Sequence, residues 1–181
     1  MKQKITEELE IPAGISCEVS GELIACRKDS RQISRKIDAP SIKAKVEGGK
    51  IIFECASGNK KDFKVVKSYI AHLNNIFRGL NEPFIYKLES CNVHFPMTLK
   101  IDKDNLIISN FLGEKTPRFA KILSGVNVEL KGNKISVSSP NREAAGQTAA
   151  NFERATKIRN RDRRIFQDGI FIVEKPAGGA K

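Results

Sequence analysis

The sequence is poor in the residues that catalytic and metal sites require. Its 181 residues include no tryptophan, only two histidines and four cysteines, none of which forms a C-x-x-C pair. Cys91 and His94 make one C-x-x-H, which offers too few ligands for a metal ion. A Walker-type loop and a G-x-G-x-x-G motif are both absent. We therefore predict a protein that is not an enzyme, with no catalytic residues, no metal, no cofactor and no small-molecule substrate, whose cysteines and histidines are structural.

Long apolar runs are absent as well. No stretch approaches the ~20 apolar residues that span a bilayer. Residues 1–14 carry charges but lack the apolar core of a secretory signal. The hydrophobic fraction of 40% is nevertheless enough to build one domain or two small ones. The prediction is a cytoplasmic protein with no membrane partner.

Acidic residues are too few to balance the basic ones. The chain has 32 Lys and Arg against 21 Asp and Glu, a formal net charge of +11. A helix end favours one or two cations, each by about 0.3–1 kcal/mol, whereas many cations side by side repel one another. We therefore predict that the densest basic segment contacts the phosphates of a nucleic acid, the alternative being a solvated helix end. That segment, residues 154–164, sets Asp162 against Arg154, Lys157, Arg159, Arg161, Arg163 and Arg164.

Two stretches of the chain share one layout, which indicates an internal duplication. Residues 11–37 and 95–122 each contain an apolar residue followed by proline, an alternating strand, a polar turn and a second strand. We align residues 23–24 with 106–107 and residues 35–37 with 120–122, at an offset of 83 to 85 residues. A further hairpin follows in each half, and a helix follows each hairpin.

The helices complete the predicted fold class. Apolar residues spaced three and four apart from Phe63 to Leu80 predict a first helix that ends near residues 79–81. A second helix should begin with Ser139 or Asn141 as its cap and run close to its sheet, because its apolar stripe is small. We predict an α+β fold with two homologous domains, 1–84 and 85–181, each a small antiparallel sheet packed with one helix. The alternating segment "PFIYKLE" is predicted to be a strand at the join.

A basic loop supplies the other candidate contacts. In "NFLGEKTPRF", Gly113 and Pro117 indicate a shaped turn from which Lys115 and Arg118 project. The alternative is an ordinary hairpin connection. No aromatic signature typical of base-stacking RNA readers is present. The predicted mode is therefore recognition of folded nucleic acid through its backbone and shape, as in helical RNA.

Several of these segments together resemble a known family. The segments "YKLESCNVHFP" at 86–96, "NFLGEK" at 110–115 and "GQTAANFERATKIRNRDRRIFQDGIFI" at 146–172, with the duplication, are similar to the large-subunit ribosomal protein L-six family in its archaeal and eukaryotic-type branch. The similarity covers nearly the whole chain. It departs from the family at residues 25–34, where "ACRKDSRQIS" replaces a K-G-P-x-G turn.

The resemblance implies a role and a set of contacts. It implies a structural constituent of the large ribosomal subunit that supports translation, bound through its second domain to large-subunit rRNA near the sarcin-ricin region. Neighbouring ribosomal proteins would be further partners. The alternative function is a cytosolic protein-interaction module that docks an acidic partner. The RNA-binding residues implied are Lys115, Arg118, Arg154, Lys157, Arg159, Arg161, Arg163 and Arg164.

Overall fold

The chain folds into two compact units that divide between Glu82 and Pro83. The computed structural model describes residues 3–29, 31–162 and 164–176. The division predicted from the sequence, between residues 84 and 85, falls inside a strand that begins at Phe84. Within the described residues, no helix is both long enough and apolar enough to span a bilayer.

The first unit contains two three-stranded antiparallel sheets and one helix. The sheet orders are β1-β6-β5 and β2-β3-β4. The helix packs its apolar stripe into a core that both sheets share, with Val66, Leu73 and Phe77 all buried. Its elements are β1 (Gln3–Glu10), β2 (Ser16–Ser20), β3 (Leu23–Lys28), β4 (Arg31–Lys36), β5 (Lys43–Glu47), β6 (Lys50–Gly58) and α1 (Lys60–Asn81).

The second unit repeats this plan and adds one strand. Its sheets have the orders β10-β9-β8 and β11-β12-β7-β13, all antiparallel. The predicted α+β fold with two homologous sheet-and-helix units is confirmed, and each unit holds two small sheets rather than one. The elements are β7 (Phe84–Cys91), β8 (Thr98–Asp102), β9 (Asn105–Ser109), a 3-10 turn (Phe111–Gly113), β10 (Arg118–Lys121), β11 (Asn127–Lys131), β12 (Lys134–Ser139), α2 (Arg142–Ala155) and β13 (Gly169–Glu174).

Both helices begin at an asparagine cap. The side chain of Asn59 accepts hydrogen bonds from the Lys61 and Asp62 amides, and that of Asn141 accepts from Glu143 and Ala144. Each cap satisfies two backbone donors that a helix start otherwise leaves unpaired. The predicted alternative cap, Ser139, instead donates its hydroxyl to the Gly125 carbonyl.

The small residues of α2 bring it close to its sheet, as its sequence predicted. Ala145, Ala149 and Phe152 are completely buried. A Cβ atom added to Gly146 would come within 2.9 Å of the Tyr86 hydroxyl on β7. Because a real Cβ does not approach another heavy atom that closely, only glycine fits here without a shift of Tyr86.

The sequence alignment of the two halves is wrong by one residue where it matches residues 23–24 with residues 106–107. Ser20 pairs with Leu23 across the first hairpin and Asp102 pairs with Asn105 across its counterpart, so position 23 corresponds to 105 rather than 106. The burial agrees, because Leu23 is exposed while Ile24 and Leu106 are fully buried. Ile37 and Ile122 do correspond. The Ile37 amide donates to the carbonyl of the residue just before β3, and the Ile122 amide donates to the carbonyl of the residue just before β9.

The offset between corresponding residues of the two halves is larger at Ile37 than at Leu23. The connection between the third and fourth strands of each unit accounts for this increase. Lys28 pairs with Arg31, so two residues connect β3 to β4, and Asp29 takes a left-handed φ of 51°. In the second unit, residues 110–117 form a longer loop between β9 and β10. The second unit also carries residues 156–168, which follow α2 and lead into the added strand β13. These two insertions form the candidate site.

Candidate nucleic-acid interface

Residues of the two insertions lie together beside the C-terminal end of α2. The first is the loop of residues 110–117, and the second is residues 156–168. Together with the last two residues of α2, the second insertion forms the basic segment, residues 154–168. Between them lies a groove of about 580 Å³. Five of the cations predicted from the sequence line it: Arg118, Arg154, Lys157, Arg159 and Arg161. The structure therefore brings together two stretches that are about 40 residues apart in the chain.

The loop of residues 110–117 has a tightly specified backbone. Asn110, Leu112 and Gly113 all take positive φ angles, of 60°, 51° and 78°. The Asn110 side chain donates to the Pro96 carbonyl over 2.9 Å, and the Phe111 ring is buried with 1% of its surface exposed. Left-handed conformations are unfavourable for most residues, so the surrounding contacts hold the loop in one shape. Lys115 is presented from this shape as an exposed side chain.

Arg118 ties the loop to the helix. Its guanidinium donates to both carboxylate oxygens of Glu114, over 2.7 and 2.5 Å, and to the Ala155 carbonyl at the end of α2, over 2.8 Å. It also lies 4.3 Å from the centroid of the Phe111 ring. The planar guanidinium suits this combination of a bidentate acceptor, a carbonyl and an aromatic face. Arg118 therefore positions the loop against α2.

The charge of Glu114 depends on this arrangement. The hydrogen bond from Arg118 lowers the pKa of Glu114 below its usual range. Partial burial opposes this effect, and the positive charges of Arg118 and Arg161 reinforce it. The positive charge of Arg161, on the basic segment, is the smallest of these contributions.

The end of α2 is hydrogen-bonded to the added strand β13. The buried hydroxyl of Thr156 donates toward the Phe152 and Glu153 carbonyls and accepts a 2.9 Å hydrogen bond from the Ile170 amide. The Glu153 carboxylate accepts from the Ile172 amide over 3.0 Å. These two side chains satisfy donors on the edge of β13 that faces away from β7. The ends of the basic segment are thus fixed to the folded unit.

A stack of side chains holds the middle of the basic segment. The Arg161 guanidinium lies 4.8 Å from the Phe166 ring centroid, and that ring stacks on His94 at 4.8 Å. His94 Nδ1 lies 2.7 Å from an oxygen of Asp168, which is 3% exposed. The other oxygen of Asp168 accepts from the Val93 and His94 amides, over 2.8 and 3.0 Å. The segment is therefore anchored to residues 93–94, which precede β8.

Hydrogen bonds keep Asp168 ionised. Burial alone would raise its pKa, but the bonds from the His94 amide, the His94 ring and the Val93 amide together lower the pKa below its ordinary value. Asp168 thus favours its negatively charged form within the basic segment.

A local turn organises the exposed tip of the segment. Asp162 accepts from the amide and guanidinium of Arg164, at distances from 2.7 to 3.2 Å. The Asp162 carbonyl also accepts from the Ile165 and Phe166 amides. This ion pair is exposed, and Arg164 lowers the pKa of Asp162. Arg164 is therefore partly neutralised in the absence of a partner molecule.

The eight predicted cations fall into distinct groups. Arg118 and Arg164 are ion-paired with acids, and Arg161 covers Phe166. Arg163 lies outside the described residues. Within residues 3–29, 31–162 and 164–176, no ion pair involves the four others, which are all exposed: Lys115, Arg154, Lys157 and Arg159. That each of the eight contacts RNA stays a prediction.

Sequence reasoning missed the residues that hold these cations in place. Glu114, Asp162, Asp168, His94 and Phe166 each bind or stack against part of the site. A local signal existed for two of them, because Glu114 precedes Arg118 by four residues and Asp162 precedes Arg164 by two. Phe119, which is 62% exposed at the groove, was also missed. Among the described residues, no cluster of three potential ligands is placed to hold a metal ion.

The fold and the groove define a class: a duplicated α+β protein whose second unit presents ordered cations on a rigid surface. Comparison with known proteins agrees with this class. The family described as Ribosomal protein L6 matches residues 95–169. The chain is 44% identical over 171 residues to the large ribosomal subunit protein uL6 of Methanococcus vannielii, covering 94% of each chain. It is 41% identical over 175 residues to the protein of the same name from Methanosarcina mazei, covering 97% of this chain and 99% of the relative.

The chain therefore belongs to the ribosomal protein L6 family. This confirms the resemblance seen in the sequence. The family is one of ribosomal proteins rather than enzymes, and the chain is accordingly not an enzyme.

Proposed function

We propose that this chain is a structural constituent of the large ribosomal subunit in the cytoplasm, and that its second unit binds large-subunit rRNA near the sarcin-ricin region. Family membership and the names of the two relatives support the ribosomal part of this proposal. Neighbouring ribosomal proteins are proposed as further partners. The groove in the second unit supports the assignment of the RNA-binding surface.

The proposal rests on one observation, which is that exposed cations in and beside the groove are not paired with acids of the described residues. Lys115, Arg154, Lys157 and Arg159 have no ion-pair partner within the described residues, although the chain has acids elsewhere on its surface. Grouped like charges repel one another and cost stability unless a polyanion compensates them. A phosphate backbone provides such compensation at short, regular spacing.

The surrounding contacts prepare this surface for binding. The Arg118 bonds, the Asp168 anchor and the Thr156 bond fix the loop and the basic segment before RNA arrives. Less conformational entropy is then lost on binding than if a disordered tail had to order. Phosphate contacts from such a scaffold read the shape of folded RNA rather than its base sequence. The exposed Phe119 ring provides an apolar contact for a ribose or a base at the groove.

The test measures the affinity of the full chain for large-subunit rRNA as a function of salt. Each neutralised phosphate contributes roughly −0.7 to −0.9 to the slope of log K against log salt. A triple variant, Arg154→Gln, Lys157→Gln and Arg159→Gln, should bind more weakly and reduce the magnitude of the slope by roughly two to three.

A matched control removes three cations from the other unit. Lys60, Lys61 and Lys64 are exposed on α1 and also lack ion pairs within the described residues. Their replacement by glutamine changes the net charge equally and should alter the slope by roughly one or less. Equal effects of the two triple variants would contradict the proposed surface, because binding would then follow net charge alone.

A second experiment tests the location on the rRNA. An iron chelate attached to the variant Lys157→Cys should cleave rRNA in the sarcin-ricin region, with the conjugated wild-type chain as the background control. Cleavage elsewhere would reject that location while leaving rRNA binding in place. Loss of an acidic protein partner from the triple variant, with unchanged rRNA affinity, would instead decide for the protein-interaction module.

A further inference from the structure

Two cysteines of the first unit face each other across neighbouring strands. Cys17 on β2 is directly opposite Cys26 on β3, and their sulfur atoms are 2.8 Å apart. Opposed residues of antiparallel strands have Cα atoms about 4.5–5.5 Å apart, within the range of about 4.4–6.8 Å that a disulfide requires. The sulfurs need only approach by about 0.8 Å more to reach the length of a covalent bond.

The two thiols have different environments. Cys26 is completely buried in the core of the first unit, whereas Cys17 is only partly buried at its edge. The hydrogen bond with Cys26 lowers the pKa of Cys17 although burial opposes it, whereas that bond and burial both raise the pKa of Cys26. Cys17 is therefore the thiol that reaches the thiolate form first and meets solvent oxidants.

We propose that Cys17 and Cys26 form a redox-responsive pair that closes to a cross-strand disulfide on exposure to peroxide. The site lies in the first unit and involves none of the proposed RNA-binding residues, so it is independent of the proposed function. The opposed positions on β2 and β3, the short separation of the sulfurs and their unequal exposure carry this inference.

The chemistry takes two steps. The Cys17 thiolate attacks one oxygen of hydrogen peroxide, which breaks the O–O bond, gives a sulfenic acid on Cys17 and releases hydroxide, which takes up a proton to form water. The Cys26 sulfur then attacks the Cys17 sulfur, loses its proton and displaces the second water. The two thiols together lose two hydrogens and two electrons, and the peroxide is reduced to two waters.

The other cysteines provide an internal comparison. Cys55 lies on β6, 2% exposed, and Cys91 lies on β7 of the other unit. The burial of Cys55 limits access of peroxide to its sulfur. We expect the bridge between Cys17 and Cys26 to form at least roughly ten times faster than any disulfide that involves these two, because its partner thiol is already in place.

The test uses the reduced full chain, treated with hydrogen peroxide, alkylated and digested with trypsin. Residues 5–27 contain no internal Lys or Arg, so one tryptic peptide carries both cysteines. The expected product is this peptide about 2 Da lighter than its reduced form and resistant to alkylation. Further oxidation of Cys17 to sulfinic acid while Cys26 remains alkylatable would overturn the proposal, as would a bridge from either residue to Cys55 or Cys91.

Two variants and one condition sharpen the result. In Cys26→Ala, Cys17 should accumulate as a sulfenic acid that a dimedone probe captures, whereas Cys91→Ala should bridge like the wild type. In urea, the same treatment should give a mixture of pairings, because the folded strands no longer hold the two sulfurs together. Equal selectivity in urea would show that the fold does not direct the pairing, and this would reject the inference.

Discussion

Asp168 and His94 are 74 residues apart in the chain, yet one carboxylate binds both the ring and the amide of the histidine. Asp168 Oδ2 lies 2.7 Å from His94 Nδ1, and Asp168 Oδ1 accepts from the His94 amide over 3.0 Å. This contact attaches the basic segment to residues 93–94, which precede β8. A buried acid therefore anchors the end of the basic segment, which carries most of the exposed cations of the candidate interface.

Replacing Asp168 by alanine should destabilise the second unit. The Val93 and His94 amides would lose a charged acceptor in a site that is 3% exposed, which typically costs about 2–4 kcal/mol. Urea unfolding measures the loss. The control Asp102→Ala removes an exposed acid from β8 and should stay within about 0.5 kcal/mol of the wild type. A loss no greater than that of the control would contradict the anchoring role of Asp168.

The same carboxylate should contribute to acid sensitivity. Because its pKa is lower in the folded chain than in the unfolded one, its stabilisation is fully present above the ordinary pKa of about 4 and is lost as the pH falls through the lower folded value. The stability difference between wild type and Asp168→Asn should therefore narrow as the pH is lowered from 5 towards 3. A difference that stays constant across that interval would show that ionisation of Asp168 is not the cause.

Substitutions of Arg118 and Lys115 should distinguish a residue that positions the loop from one that contacts rRNA directly. Arg118→Ala removes the bonds to Glu114 and the Ala155 carbonyl and should cost about 1–2 kcal/mol, with faster hydrogen exchange at the Gly113 and Glu114 amides. Lys115→Ala should leave the stability within about 0.5 kcal/mol and weaken rRNA binding alone. Unchanged exchange in Arg118→Ala would indicate that the loop does not need this residue.

Much of the fold could be predicted from the sequence because the sequence patterns that specify its helices and hairpins are local. The apolar spacing of α1, the cap Asn141 and the repeated hairpins all act within a few residues. The register of the first hairpin was not accessible in the same way. Leu23 and Ile24 are adjacent and both apolar, and a shift of one residue exchanges the buried face for the exposed one. Only the pairing of β2 with β3 decides between them.

The candidate site could be predicted from the sequence only in part. The density of arginine in residues 154–164 is visible in the sequence, but which arginines are committed to other groups is not. The bond from Arg118 to the Ala155 carbonyl spans 37 residues, and the bonds of Asp168 to residues 93 and 94 span more. Such partners depend on how α2 and β13 pack, and composition cannot reveal them.

The hydroxyl of Thr156 should be required for the attachment of β13 to α2. In Thr156→Val, the Ile170 amide loses its acceptor, and because Ile170 is 1% exposed, water cannot replace the hydroxyl. The expected cost is about 1–3 kcal/mol in urea unfolding, with faster hydrogen exchange at the Ile170 amide.

The matched control for this change is Thr98→Val on β8, whose side chain is exposed. It makes the same exchange of a hydroxyl for a methyl group and should stay within about 0.5 kcal/mol of the wild type. Because Thr156 lies in the basic segment directly after α2, its valine variant should weaken rRNA binding although no cation has been removed. Full rRNA affinity together with faster exchange at Ile170 would mean that the cations do not depend on the attachment of β13.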